Sequence, residues 1–179
     1  MGLLAAIMLA VYLANPFGTA SLDPRARLLG VALYKIPSRS MEPTLQQGDF
    51  ILANAARYAF AAPLGGDLVV FRFPPQRSIA YVKRIAGIPG DRVRIDGGRL
   101  YVNERPVTEP YLAQQALRQP DSLRMAERTV PAGQYFMLGD NRDNSNDSRY
   151  WGYVPRADLV GRVFAVWYAE DTRRIGSVR

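Results

Sequence analysis

The distribution of apolar residues divides the chain into an uncharged start and a longer part with short apolar runs. Residues 1–22 contain no charged side chain, and residues 3–14 are apolar throughout. As a helix, this apolar part is about 18 Å long, whereas the hydrocarbon core of a bilayer is about 30 Å thick. We interpret residues 1–22 as a hydrophobic membrane-anchor candidate. A buried helix and a cleavable secretory signal are the alternatives, although the positively charged start of such a signal is missing.

The charges that follow this segment bear on its orientation. Arg25 and Arg27 are the first positive charges in the chain. Positive charges beside a membrane segment favour the cytoplasmic side, and the next apolar run, residues 28–33, is too short to cross back. The sequence leaves two alternatives open: more membrane sequence upstream, or a segment that lies at the membrane surface.

Beyond residue 45, short apolar runs alternate with turn residues, which is typical of strands. Turns are predicted at residues 48–49 and 65–67, and Asp-Gly-Gly at residues 96–98 predicts a hairpin. The predicted strands cover residues 50–52, 68–73, 79–85, 93–95, 100–102, 134–138 and 159–168. Many short strands separated by Gly and Pro predict a mainly β fold with an antiparallel sheet or barrel-like core.

One region interrupts this pattern. Residues 109–128 lose the alternation and are rich in Gln, Arg, Ala and Leu, which predicts an irregular or partly helical insertion. The chain length supports one domain, or a core with a smaller insertion. We therefore predict a β-rich domain over residues 23–179, with a smaller cap-like insertion at residues 94–134.

Two serines lie between two prolines in residues 36–45, Ile-Pro-Ser-Arg-Ser-Met-Glu-Pro-Thr-Leu. Each proline fixes its own φ and favours extended geometry in the preceding residue, so we predict a stiff, extended segment. Alternate residues of an extended chain point the same way, which would place Ser38 and Ser40 on one side and Met41 on the other. The segment is suited to nucleophilic chemistry, and a solvated turn is the plain alternative.

A serine nucleophile needs a base, and the composition restricts the choice. The chain contains no His and no Cys, which excludes Ser-His-Asp triads, Cys-His pairs and zinc sites built on these residues. Lysine occurs only at Lys35 and Lys83. A buried lysine can lose its proton, whereas arginine cannot. Lys83 lies in a predicted apolar strand where its amine could be desolvated; a surface lysine on a half-buried strand is the alternative.

Residues 139–152, which we call the polar loop, read GDNRDNSNDSRYWG between two apolar runs. Alternating carboxylates and guanidiniums can pair and make such a loop rigid. Closely spaced Asp and Asn also suggest calcium, but this loop contains Arg142 and Arg149. It also lacks the central glycine and terminal glutamate of the calcium-binding template. We therefore expect no metal site here.

The net charge narrows the choice of partners. The formal net charge is +7 and the isoelectric point is about 10, which suits nucleic acid, anionic lipid or an acidic protein. The arginines are scattered along the chain and form no basic helix or arm, which argues against nucleic acid. Membrane lipid is expected as a partner because of the apolar segment at residues 1–22.

The serine stretch, the strand of Lys83 and the polar loop together resemble the type I signal peptidase family, membrane-bound serine proteases with a Ser-Lys dyad. The resemblance covers residues 34–49, 81–93 and 136–155 in the family's order, and leaves the insertion and both ends uncovered. It implies that the β-rich domain is a catalytic domain and that no cofactor or metal is needed.

The resemblance also implies a role for each matching residue. Ser40 is expected to be the nucleophile and Lys83 the general base, with Ser38 Oγ and the Ser40 N–H as oxyanion donors. Ser145 is expected to orient the Lys83 amine, and Arg39, where some members have glycine, to point away from the cleft. The implied supporting ion pairs are Asp147–Arg149 and Asp140–Arg84, and the implied substrate-binding residues are Ile36, Met41, Leu45, Tyr81 and Val82.

The implied activity is removal of N-terminal signal peptides from exported preproteins, with cleavage after small residues. The implied location is a bacterial inner membrane, with the catalytic domain on the periplasmic side. The alternative is a specialised peptidase of the same chemistry that matures one pilin or secreted partner of a conjugation system. A self-cleaving repressor would need a DNA-binding helical domain, which no pattern predicts. A basic β-barrel that binds nucleic acid or lipid would have no need for Ser40 or Lys83.

Overall fold

An antiparallel sheet carries most of the chain. The structure, a computed structural model, describes residues 2–112 and 117–178. Its strands are β1 (Val31–Lys35), β2 (Phe50–Asn54), β3 (Leu68–Arg72), β4 (Ala80–Gly87), β5 (Arg92–Asp96), β6 (Arg99–Val102), β7 (Arg105–Pro106), β8 (Arg124–Thr129), β9 (Gln134–Leu138), β10 (Val154–Pro155), β11 (Leu159–Tyr168) and β12 (Gly176–Ser177). Within the described residues, the main sheet has eight strands in the order β1-β2-β11-β3-β4-β9-β10, with β12 beside β11.

A second, smaller sheet lies between β4 and β9 in the chain. Its strand order is β7-β6-β5-β8, and we call residues 92–129 the cap. Its first hairpin pairs Asp96 with Arg99 across Gly97 and Gly98, whose φ angles are 57° and 79°. Glycine adopts positive φ readily, which suits a two-residue hairpin loop. The predicted hairpin is confirmed.

Helices are short and lie outside the sheets. They are α1 (Gly2–Ala14), α2 (Pro24–Leu29), α3 (Arg57–Phe60), α4 (Pro120–Leu123) and α5 (Ser148–Trp151). The Asp23 carboxylate caps α2 by accepting the Arg25 N–H at 2.9 Å, and Gly30 ends the helix with a φ of 72°. The predicted mainly β, antiparallel fold is confirmed.

The central strand β3 is buried on both faces. Val70 packs in one apolar cluster with Ile51 and Val163, whereas Val69 packs in a second cluster with Ile85. A strand buried on both faces is a rigid neighbour because its side chains are fixed by close packing. The strand β4, which carries Lys83, pairs with β3 along its first half.

Two of the longer strands, β1 and β8, differ from the sequence prediction, and the two-residue strands β7, β10 and β12 were not predicted either. β1 was not predicted, because it continues an apolar run that starts inside α2. β8 lies partly in residues 109–128, which were predicted to be irregular or partly helical; α4 satisfies that prediction, but residues 124–128 are strand. In β8 only Met125 is fully buried, and Arg, Met, Ala and Glu are helix formers. Pairing with β5 outweighs this local preference.

The serine stretch also departs from prediction. Instead of a fully extended segment, it bends after Arg39, since the Glu42 N–H bonds the Arg39 carbonyl at 3.2 Å and the Leu45 N–H bonds the Met41 carbonyl at 2.9 Å. The prolines restrict only their own φ and the preceding residue, so the residues between them remain able to turn.

The apolar residues of α1 face solvent in the structure. Leu3 is 77% exposed and Leu13 is 67% exposed, and α1 contains no buried residue. Among the described helices, none combines the length and apolar character needed to span a bilayer.

Candidate active site

Ser40 lies in a closed loop between β1 and β2. The loop is pinched at its base, where the Ile36 N–H bonds the Asp49 carbonyl and the Gly48 N–H bonds the Ile36 carbonyl, both at 2.8 Å. Met41 and Leu45 anchor the loop because both side chains are fully buried in the core. Ser40 therefore stands beside the core on a backbone that is fixed at both ends.

Lys83 reaches Ser40 from β4. Its ammonium nitrogen lies 2.7 Å from Ser40 Oγ and 3.0 Å from the Val82 carbonyl oxygen. The Lys83 side chain is buried, since the residue is only 4% exposed, and its Nζ lies 5.3 Å from the centroid of the Tyr81 ring. The two residues that the sequence suggested as nucleophile and base are thus in direct hydrogen-bond contact.

Burial decides the protonation of this lysine. Loss of solvation lowers the pKa of Lys83 from 10.5 to about 8, and the nearby carboxylates of Asp147 and Asp140 oppose the decrease. Desolvation disfavours the charged amine, whereas neighbouring negative charge favours it. A substantial neutral fraction therefore exists at mildly alkaline pH, and a neutral amine can accept a proton.

Ser38 lies beside the nucleophile. Its hydroxyl oxygen is 3.2 Å from Ser40 Oγ, and the residue is exposed at the cleft. Arg39 points away from the cleft and pairs with Glu42, its Nε 3.0 Å from Oε1. The bend in the segment still leaves the two hydroxyls on one side.

Asp140 joins all three sequence motifs. It forms a two-bond ion pair with Arg84, at 2.9 Å to Nε and 2.6 Å to Nη2. It also accepts the Thr44 hydroxyl at 2.5 Å. Thr44 belongs to the serine stretch, Arg84 to β4 and Asp140 to the polar loop, so one buried carboxylate ties these segments together. Nothing in the sequence pattern pointed to Thr44.

A second buried ion pair shapes the polar loop. Arg149 Nε lies 2.8 Å from Asp147 Oδ1, and the second oxygen of Asp147 accepts the Gly139 N–H at 3.0 Å. Arg149 also donates to the carbonyls of Arg142 and Ser145. Charge-assisted bonds of this kind hold a polar segment in one shape.

Ser145 and Gly139 meet at the centre of the loop. Ser145 Oγ is buried and has no hydrogen-bond partner within the described residues, so the structure does not bring it into hydrogen-bond contact with the Lys83 amine. A Cβ at Gly139 would lie 2.1 Å from Ser145 Oγ and 2.6 Å from the Ser40 carbonyl oxygen. Only glycine fits such a close approach, a role that sequence analysis missed.

A cleft of about 340 Å³ opens beside the two serines. Four of the five predicted substrate-binding residues line it, namely Ile36, Met41, Tyr81 and Val82. Leu45 is not part of the lining but is fully buried in the core. The lining also includes residues that no sequence signal singled out for the cleft, namely Tyr34, Lys35, Pro37, Val70, Ile79, Ala80, Asn144 and Asn146.

One strand edge faces this cleft. β4 pairs with β3 from residue 80, but its pairing with β9 begins only at Arg84. Within the described residues, positions 80–83 therefore have no strand partner on the β9 side. Unpaired N–H and C=O groups on an edge can bind an added strand. In residues 2–112 and 117–178, no group of three or more Asp and Glu side chains is arranged to hold a metal ion.

Comparison with known proteins places this chain in a family. A family model described as signal peptidase, peptidase S26, matches residues 3–168. The chain belongs to the signal peptidase family. The resemblance drawn from the three sequence motifs is thereby confirmed.

Relatives within the signal peptidase family come from diverse organisms. Signal peptidase I of Pseudomonas aeruginosa is 41% identical over 180 residues, which cover 75% of this chain and 63% of the relative. A probable signal peptidase I-2 of Synechocystis is 43% identical over 136 residues, covering 72% and 59%. The thylakoidal processing peptidase 1 of Arabidopsis thaliana is 38% identical over 143 residues, covering 74% and 41%.

A solved structure is similar as well. The crystal structure of a signal peptidase I from Enterococcus faecalis matches with a TM-score of 0.52 and 32% identity, covering 57% of this chain and 97% of that one. The chain spans slightly less than two thirds of the length of the signal peptidase I proteins of Pseudomonas aeruginosa and Pseudomonas fluorescens, at 63% of each.

Proposed function

We propose that this protein is a serine endopeptidase that removes signal peptides from exported preproteins, with Ser40 as nucleophile and Lys83 as general base. The observation that carries the proposal is the 2.7 Å contact between Lys83 Nζ and Ser40 Oγ. Burial lowers the pKa of this amine to about 8, which suits a base. Membership of the signal peptidase family supports the substrate class.

Acylation follows from this contact. Neutral Lys83 takes the Ser40 proton as Ser40 Oγ attacks the scissile carbonyl carbon. The negative charge that develops on the carbonyl oxygen is stabilised by the Ser38 hydroxyl and the Ser40 N–H, each worth about 3 kcal/mol if it behaves as a typical oxyanion donor. The Lys83 ammonium then protonates the leaving amine, which leaves an ester on Ser40.

Deacylation uses the same base. Lys83, neutral again, removes a proton from water as the water oxygen attacks the ester carbonyl. Collapse of the second tetrahedral intermediate breaks the bond to Ser40 Oγ, and the proton returns to this oxygen. In this cycle Asp140–Arg84 and Asp147–Arg149 hold the surrounding segments in place. Ser145 is proposed to orient the Lys83 amine, which requires its side chain to turn about the Cα–Cβ bond from its position in the structure.

The substrate docks as an added strand along the free edge of β4. Alternate side chains of an extended peptide point to one face, so the first and third residues before the cut enter the same apolar cleft. We expect small side chains at both positions, as the family resemblance implies. This matches the A-x-A-like end of secretory signals.

Membrane attachment completes the proposal. The exposed apolar side chains of α1, such as Leu3 and Leu13, lie in lipid, and the catalytic domain faces the periplasmic side of the inner membrane. An apolar surface of this kind is covered in a native setting. Nucleic acid is not a partner in this proposal.

Cleavage of a preprotein with a mapped cut site tests the proposal. The wild-type protein is expected to cut after a small residue, and both Ser40→Ala and Lys83→Arg are expected to abolish cleavage. Arginine keeps the charge but stays protonated, so it cannot serve as a base. Lys35→Arg is the control for a lysine-to-arginine change. Lys35 lines the cleft, but its side chain is exposed and its amine lies 5.7 Å from the Phe50 ring centroid, so most activity should persist. Substantial cleavage by folded Lys83→Arg protein would rule the mechanism out.

A further inference from the structure

The polar loop holds the backbone of the nucleophile directly. The Asn141 N–H donates to the Ser40 carbonyl at 3.1 Å, and its side-chain amide donates to the Arg39 carbonyl at 3.0 Å. Gly139 packs against the same Ser40 carbonyl, with no room for a Cβ. Any shift of residues 139–141 therefore shifts Ser40 relative to Lys83.

The buried side chain of Arg142 holds Gly139 of the polar loop in place. Its side chain is 1% exposed, and its Nε donates to the Gly139 carbonyl at 3.1 Å. Its own carbonyl accepts Arg149 Nη2 at 2.6 Å. A buried guanidinium needs a counter-charge, because an unpaired buried charge is strongly destabilising.

That counter-charge comes from the cap. Arg142 Nη2 donates to Glu109 Oε1, and the Glu109 side chain is itself only 5% exposed. Within the described residues, Glu109 is the one carboxylate that forms an ion pair with Arg142. The Tyr111 hydroxyl donates to the same Glu109 oxygen at 2.7 Å, and the Tyr111 ring lies 4.4 Å from the guanidinium carbon of Arg84.

The cap also holds the other flank of the polar loop. Arg149 Nη1 donates to Ser122 Oγ at 2.9 Å, and the Arg118 N–H donates to the Asp143 carboxylate at 2.7 Å. The polar loop, which contacts the Ser40 backbone, is thus bonded to the cap through Arg142, Asp143 and Arg149. Only one of these contacts, Glu109 with Arg142, leads through a single residue to Gly139.

We propose that Glu109, a residue of the cap, is a positioning residue for the cleavage reaction. It acts through Arg142, which holds Gly139 against the Ser40 backbone, and so keeps Ser40 Oγ in line with the Lys83 amine. The inference rests on the proposed function of Ser40 and Lys83. Glu109 lies outside the three sequence motifs and does not line the cleft, so neither feature indicates this role for the cap.

Glu109→Gln in the full chain tests this inference. The amide has nearly the same shape but no charge, so Arg142 loses its counter-charge and the loop relaxes. A misplacement on the order of 1 Å can cost about 10²-fold in rate; we expect kcat for a peptide with alanine at the first and third positions before the cut to fall roughly 10- to 100-fold. KM should stay near its wild-type value, since Glu109 does not line the cleft.

Glu104→Gln is the matched control within the cap. Glu104 is a solvent-exposed carboxylate, its side chain 58% exposed, and it pairs with Arg92 at 3.5 Å and Arg94 at 3.9 Å. Its removal should leave both kcat and KM unchanged. All rates are referred to the folded fraction, measured by circular dichroism, so that loss of folded protein is not counted as loss of kcat.

The double variant Glu109→Leu with Arg142→Met separates positioning from stability. Removing both buried charges leaves no unpaired charge, so the melting temperature is expected to recover relative to Glu109→Gln. The link to Gly139 is still absent, so kcat should stay low. Recovery of kcat together with the melting temperature, or wild-type kcat in folded Glu109→Gln, would overturn the inference. Failure of the proposed function gives a different result. In that case the wild-type protein would not cleave the peptide, or the Lys83→Arg variant would still cleave it.

Discussion

Burial and two nearby carboxylates shift the pKa of the Lys83 amine in opposite directions. Desolvation is the larger effect and lowers its pKa to about 8, while Asp147 and Asp140 prevent a deeper fall. The ion pairs Asp147–Arg149 and Asp140–Arg84 thus have a second consequence beyond holding the loop. Each arginine partly neutralises a carboxylate that would otherwise keep Lys83 charged.

The rate of cleavage should therefore depend on pH through Lys83. Only the neutral amine accepts the Ser40 proton, so kcat/KM is expected to rise with pH and level off above an apparent pKa of about 8. At pH 6 the neutral fraction, and with it the rate, is roughly 100-fold below the plateau. A pH profile of peptide cleavage measures this. A flat profile between pH 6 and pH 9 would contradict the assignment of Lys83 as base.

Ser38 gives a second prediction at this scale. Its hydroxyl lies 3.2 Å from Ser40 Oγ and can turn toward an oxyanion that forms beside it. Ser38→Ala is expected to lower kcat by roughly 10²–10³, as loss of an oxyanion donor does, with little change in KM. Steady-state kinetics on a peptide substrate measures both constants. An unaltered kcat would remove Ser38 from the oxyanion hole.

Single residues were easier to predict from sequence than their surroundings. A chain without His or Cys and with lysine at only two positions leaves few candidates for a base, and these limits made Lys83 stand out. The partners of the polar loop carried no such signal. Glu109 lies 33 residues before Arg142 in a segment without periodicity, so only the folded structure brings the two together.

At the scale of elements, strands could be predicted where apolar residues form a run in the sequence. β9 and β11 have the predicted bounds, residues 134–138 and 159–168, because both contain runs of β-branched or aromatic residues. β8 could not be predicted, since its one fully buried side chain, Met125, gives no alternation. The bend of the serine stretch depends on burial of Met41 and Leu45, which is a tertiary effect.

The serine loop and the polar loop meet backbone to backbone, and Gly139 makes this contact close. Gly139→Ala would place a Cβ 2.6 Å from the Ser40 carbonyl oxygen and 2.5 Å from Ser145 Cβ. The loops must separate, so we expect a loss of about 1–3 kcal/mol in the free energy of unfolding and a fall in kcat of at least about tenfold. Denaturant unfolding and peptide cleavage measure the two effects.

Gly65→Ala is the control for this substitution. Gly65 is exposed, a Cβ there would have nothing within 4 Å, and its φ lies outside the left-handed region. It should therefore change neither stability nor rate. If Gly139→Ala behaves like Gly65→Ala, the two loops are not in the close contact that the structure describes.

At the scale of the whole molecule, the apolar start of the chain is joined to the folded domain by specific bonds. The buried Thr19 hydroxyl donates to the Val160 carbonyl of β11 at 2.9 Å, and the Ala20 N–H donates to the Leu159 carbonyl at 3.4 Å. Tyr12, in α1, donates to the Leu22 carbonyl at 3.0 Å. The uncharged residues 1–22 were interpreted from sequence as one anchor segment. In the structure they contain an exposed helix, α1, and a stretch with Thr19 and Ala20 that packs on the main sheet.

Two truncations separate these parts. Removal of residues 2–14 deletes the exposed apolar helix α1 and keeps Thr19. The protein is expected to leave the membrane fraction and to keep its kcat/KM for a short peptide, and its melting temperature should change little because the lost Tyr12–Leu22 bond is exposed. Removal of residues 2–22 also deletes the buried Thr19 bond, worth about 1 kcal/mol. The melting temperature should then fall by a further 2–4 °C or so. Membrane flotation and thermal unfolding of both variants measure this. If the protein without residues 2–14 still floats with membranes as the full chain does, α1 is not the anchor, and another surface must hold the domain at the lipid.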